Sequence, residues 1–303
     1  MSVRQVQLFI RLSRPLFLVG AAITYALGVG IARYLGYPID LGLYLLGQAW
    51  VIFIQLSAHY LNEFFDAPRY VNNPRQSMFS IRSDAIGPGK LPRNTALLAA
   101  ATSLTIAASV TVVLVQYGPL STLVAFLMSL IFLISIFYSM PPFNLSSSGY
   151  GELINSILIA NLVPALALVL QTGELHRLLI MCTFPLTALH IAMMTALDFP
   201  DYATHIKHET STLLVRLGWQ NGMVFHNLLI LVAFLLLGIA MLFGLHPGIG
   251  LPAFLPLPLG VLLIWLMRRI ASGAKPNWRA ITFTAVILFM STAYLLTFSF
   301  WTR

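Results

Sequence analysis

The sequence predicts an all-α integral membrane protein, a bundle of nine transmembrane helices with its N-terminus in the cytoplasm, on three grounds. Hydrophobic residues fill 58% of the 303 positions and charged residues only 9%, with a mean hydropathy of +0.86, a balance foreign to soluble domains. Apolar runs near the roughly 20 residues that a spanning helix needs recur at about 15–34, 41–65, 94–116, 119–140, 152–171, 177–197, 222–244, 250–267 and 279–300. With that count, 14 of the 17 Lys and Arg residues fall on the inner side and only Arg33, Arg177 and Arg303 outside, as the positive-inside rule requires.

The first run follows Arg4, Arg11 and Arg14 but continues without a small-residue cleavage site, so it is expected to be a helix and not a signal peptide. The lone Cys182 excludes an intrachain disulfide and reads as a packing residue. The net charge of +8 is explained by the cytoplasmic bias of the basic residues, which argues for membrane topology and against a nucleic-acid partner. Little chain is left for a soluble unit, so residues 1–303 are expected to form a single transmembrane domain surrounded by lipid.

Acidic residues are few, and two groups of them close apolar runs. The stretch HYLNEFFDAP ends the second run with Asn62, Glu63 and Asp66, and LDFPDY ends the sixth with Asp198 and Asp201. On a helix Asn62 and Asp66 share a face, with Glu63 beside it. Pro68 ends the first element and Pro200 loosens the second. Ionisable groups at this depth are costly and mark a cavity or a partner. Two facing acidic pairs need a positive charge between them, and Mg2+ suits hard oxygen ligands shared with substrate phosphates. Pairing of the acids with Arg69, Arg75 or Arg216 is the simpler alternative.

The polar stretch after the first cluster carries basic residues, among them Arg69, Arg75 and Lys90, which match a phosphate-bearing substrate. Pro141 and Pro142 break the chain after the fourth run, one turn beyond Tyr138. By the span count these segments share the cytoplasmic face. Acids inside helices also fit a transporter, but here they cluster at one rim and nine spans do not split into equal halves.

Taken together, NEFFD, DFPDYATHIKHETSTLLVRLG, and YSMPP with the later GYGE resemble the UbiA-type intramembrane prenyltransferases over nearly the whole chain. The detail is most similar to the branch of 1,4-dihydroxy-2-naphthoate polyprenyltransferases of menaquinone synthesis. The resemblance implies transfer of an isoprenyl group from a prenyl diphosphate to an aromatic or other lipophilic acceptor. It implies Mg2+ held by Asn62, Glu63, Asp66, Asp198 and Asp201; His205 is expected to bind metal or phosphate in place of a lost carboxylate, and Arg69, Arg75, Lys90 and Lys207, with Asn62, to take over the diphosphate contacts. Asp66, Asp198 and Tyr138 are the expected catalytic residues. Departures from the pattern are Tyr70 and His205 where the outer aspartates of the two motifs stand, Glu209 and Thr210 for a Gly and a Lys, and Leu145 and Ser146 where a Lys follows the proline pair. A relative that binds prenyl lipids without using them is the alternative those departures suggest.

Overall fold

The structure, a computed structural model, describes residues 3–66, 83–118 and 121–303, and every regular element among them is a helix. The short α1 (Val3–Ser13) is amphipathic, burying Leu8 and Leu12 while Val3, Val6 and Ile10 are exposed. Proline disfavours helical geometry in the residue before it, so Arg14 leaves the helix at φ 49° and α2 (Pro15–Tyr34) starts afresh at Pro15. The 26-residue α3 (Leu41–Asp66) then packs along α4 (Arg93–Tyr117).

The next helix, α5 (Thr122–Phe137), starts at the Ser121 cap, whose hydroxyl accepts the Val124 amide, and stops before the proline pair. Its 16 residues extend about 24 Å at 1.5 Å each, short of a bilayer core of roughly 30 Å. Eight helical stretches among the described residues are long and apolar enough to span, where the sequence suggested nine. The fourth expected span, about 119–140, corresponds to α5, an apolar helix of 16 residues among the described ones, which falls below that length.

Beyond it, α6 (Gly151–Ile157) runs through one wide π turn at Leu158–Leu162 into α7 (Val163–Thr172). Pro164 sits just after that turn and lacks the N–H that a regular ladder would use. Then come α8 (Arg177–Asp198), a 3-10 turn over Phe199–Asp201, α9 (Tyr202–Lys207), α10 (Leu213–Leu217), α11 (Trp219–Leu242), α12 (Pro247–Gly250), α13 (Leu257–Ala271) and α14 (Trp278–Trp301).

The centre of the bundle is α2, α7, α8 and α14, whose facing residues form one continuous apolar core. Close approach there depends on Gly28, where a Cβ would stand 2.1 Å from the Pro164 carbonyl oxygen. At one membrane face Phe199, Trp219 and Trp278 pack together with ring centres 5.1 to 6.0 Å apart. These rings tie the end of α8 to the starts of α11 and α14, and the functional residues gather on this face.

Candidate active site

The two acidic motifs, far apart in sequence, meet across one recess. Its lining includes Asn62 and Asp66 from the end of α3, Tyr138 from just beyond α5, Glu152 from the first turn of α6, and Asp198 and His205 from the α8–α9 junction. Ser146, Ser147, Thr210 and Thr212 complete the polar wall, and Met194 lies one turn deeper on α8. An isolated bridge between Ser148 and Ser211 joins the segment after the proline pair to the loop between α9 and α10.

On the α3 side, Asn62 is the organising residue. Its Nδ2 donates to Asp66 Oδ2 and to Ser139 Oγ, both at 2.9 Å, while its Oδ1 accepts from Arg14 Nη2 at 2.8 Å. Arg14 Nη2 also lies 2.6 Å from Glu63 Oε1, which takes a second bond from the Ser83 amide at 2.6 Å. Glu63 therefore points away from the recess and clamps α1, α3 and the Ser83 segment together. Asp66 and Asn62 are what this motif presents to the cavity.

On the α8 side, Asp198 is 4% exposed and its Oδ1 stands 3.3 Å from His205 Nε2. It also meets Glu152 and Thr212. Glu152 accepts the Leu213 amide through both oxygens at 3.1 and 3.2 Å, so it braces the start of α10 against α6. Carboxyl groups in contact repel when both are ionised, which makes Asp198 and Glu152 a place for a proton or a cation. Asp201 is buried in the 3-10 turn and stands behind the lining rather than in it.

The donor set fits Mg2+ in the manner that ion prefers, since each rim offers one or two hard oxygens and leaves positions for substrate phosphate and water. Among the described residues, no three His, Cys, Asp or Glu side chains cluster tightly enough to hold an ion by themselves. Tyr138, just outside α5, is half-buried in the wall of the recess. Burial first, then the neighbouring Glu152 and Asp198 carboxylates, push its phenol above the usual tyrosine range, so it stays neutral at physiological pH.

The sequence-suggested cations are distributed differently. Lys90 forms an ion pair with Asp84, and Lys207 is exposed at the end of α9 away from the lining. Arg69 and Arg75, like Tyr70, lie outside the described residues. Arg216 stacks over Tyr150, 4.4 Å from its ring centre. Among the described residues, Arg14 is the cation that meets the polar side chains of the first motif, while Arg93 donates to the Phe64 carbonyl; sequence reading left both among the topology charges. The only local signal of Arg14 is the Arg-Pro step that forces it out of the helix.

The sequence profile of the UbiA prenyltransferase family matches residues 21–293. The chain belongs to that family. A search of curated proteins finds no match. Among solved structures, a UbiA homolog from Archaeoglobus fulgidus bound to GPP and Mg2+ is similar over 98% of this chain and 100% of its own, at 17% identity and a TM-score of 0.66. A digeranylgeranylglyceryl phosphate synthase aligns over 98% of both chains at 15% identity and a TM-score of 0.62. The apo UbiA homolog from Aeropyrum pernix K1 aligns over 93% of this chain and 96% of its own, at 14% identity and a TM-score of 0.61. At these identities the likeness establishes the fold, and the family profile establishes a multi-pass membrane protein of the prenyltransferase kind.

Proposed function

We propose that this protein is an Mg2+-dependent intramembrane prenyltransferase, acting as one domain over its whole length. It takes a prenyl diphosphate as donor and an aromatic or other lipophilic acceptor, with the recess open to the cytoplasm. Convergence of Asn62 and Asp66 with Asp198 across one recess carries this reading. The GPP and Mg2+ in the A. fulgidus relative support it, as does the positive-inside count.

Mg2+, when bound, neutralises charge on the departing diphosphate. Asp66, Asn62 and Asp198 would hold it, with His205 beside Asp198 in the lining and Asp201 behind it. Glu63 contributes by fixing Asn62 through Arg14, not as a ligand. The bond that breaks is the allylic C–O bond, whose electron pair leaves with the diphosphate. A carbon of the electron-rich acceptor then bonds to the allylic carbon and loses its proton. Tyr138 stays neutral, so its phenol donates to a developing negative charge and its ring face meets the allylic cation. The apolar bundle beneath keeps water from that cation. Lys207, exposed outside the lining, serves diphosphate capture, Lys90 does so only if released from Asp84, and Arg69 and Arg75 are the further cations that the sequence offers for it.

The finer assignment is the menaquinone branch, with 1,4-dihydroxy-2-naphthoate as acceptor, supported by the DFPD and TLLVRLG wording of the second motif. Purified protein in detergent with radiolabelled geranylgeranyl diphosphate and a panel of aromatic acceptors tests both levels. A prenylated product names the acceptor class. Donor binding without product from any acceptor would instead identify a relative that holds prenyl lipids without using them.

A further inference from the structure

We propose that a groove between α11 and α13, at the membrane face that carries the recess, binds an anionic phospholipid. Its phosphate sits at Arg268 and Gln220, and one acyl chain lies along Val224, Leu228 and Leu231. The groove encloses about 400 Å³ and is separate from the recess, sharing no lining residue with it.

The charge pattern selects an anion. Arg268 is exposed and makes no ion pair among the described residues. Its neighbour Arg269 is engaged over Trp265, 5.0 Å from the ring centre, which leaves Arg268 as the cation on the groove. No Asp or Glu occurs anywhere after Glu209, while Lys275 and Arg279 follow in the adjoining loop, so no carboxylate of α11, α13 or their loops competes for it. Juxtamembrane basic residues facing such pockets attract acidic headgroups.

The shape selects a lipid over a free anion. From Gln220 to Leu231 the groove follows α11 for 11 residue steps, about 16 Å at 1.5 Å per step. That equals one leaflet, half of a hydrocarbon core of roughly 30 Å. Polar groups stand at the rim, in Gln220 and Arg268, and the exposed Val224, Leu228 and Leu231 lie deeper. Asn227 is the one polar residue partway down. Its Oδ1 is engaged by His226 Nδ1 at 3.1 Å, which leaves its amide N–H groups for an ester carbonyl. One arginine with two neutral amides is a weak site for free phosphate, and the apolar wall supplies the remaining affinity for a lipid.

Native mass spectrometry of the full chain, equilibrated in detergent with equal phosphatidylglycerol and phosphatidylcholine, tests this. Wild type is expected to retain one phosphatidylglycerol per chain in preference to phosphatidylcholine. Arg268→Gln should lower that retention about fivefold, the effect of one arginine at a membrane surface. Arg269→Gln should leave it near wild type, and Leu228→Trp, which fills the groove with Arg268 intact, should abolish it. Equal retention of the two lipids, an unchanged Arg268→Gln, or displacement by millimolar inorganic phosphate would overturn the proposal. Arg268 is a surface side chain, so its variant folds even if the tryptophan variant does not.

Discussion

Replacing Glu63 with alanine should destabilise the protein far more than loss of a surface acid would. Arg14 and Glu63 side chains are only 9% and 7% exposed, and their 2.6 Å contact is reinforced by the Ser83 amide on the same oxygen. Breaking a buried pair from one side leaves the other charge uncompensated, at a cost of about 3–5 kcal/mol. The Ser83 N–H, which is also buried, loses its acceptor as well, adding about 1–3 kcal/mol unless water reaches it. A solvated pair would be worth only about 0–1 kcal/mol. Unfolding in mixed micelles titrated with SDS measures the difference. The double change Arg14→Met with Glu63→Leu removes both charges and should recover much of the stability, since apolar replacement of a whole buried pair is often neutral. It should not recover turnover, because Asn62 Oδ1 loses the Arg14 contact that aims its amide at Asp66. A loss below about 1 kcal/mol in Glu63→Ala, or full activity in the double variant, would refute this account of the clamp.

Asp66→Asn and Asp198→Asn should each lower prenyl transfer by at least about a hundredfold with helix content unchanged, as removal of a charge-stabilising group does; product formation rates with circular dichroism on the same samples check this. Tyr138→Phe should slow turnover roughly tenfold or more and should also change the alkaline side of the stability profile. The folded phenol lies above its ordinary value of 10.0, so its contribution is complete below that pH and is lost as pH rises beyond it. Thermal unfolding from pH 7 to 11 should therefore fall more steeply for wild type than for Tyr138→Phe. Gly28→Ala should cost about 1–3 kcal/mol by overpacking, because its Cβ meets the Pro164 backbone and not a movable side chain; the same SDS titration reads it.

Hydropathy made most of the fold legible, because each long span is a run of apolar residues that no other solvent would tolerate. Near 119–140 it marked a run longer than the described helix α5, whose start is set by a serine cap and whose end precedes a proline pair. The separate α1 was hidden for a related reason, since its break depends on one backbone angle at Arg14. Asn62, Asp66 and Asp198 were visible because acids at the ends of greasy helices need an explanation. Arg14 was not, because its partners are 48 and 49 residues away and nothing local distinguishes it from a topology charge. Lys90 failed in the opposite direction, as a plausible phosphate ligand already engaged by Asp84 six residues earlier. Glu152 stood in a recognisable motif, yet its contact with Asp198 and its hold on the Leu213 amide come from tertiary packing alone.

The central claim is that the two rims act together to hold a metal-bound diphosphate. Binding of a non-reactive thiodiphosphate analogue of the donor, measured by calorimetry in detergent with Mg2+ or with a chelator, tests it most directly. Tight binding only with Mg2+, lost in both Asp66→Asn and Asp198→Asn, is the predicted result. Binding that persists under chelation, or that depends on one aspartate and ignores the other, would contradict it.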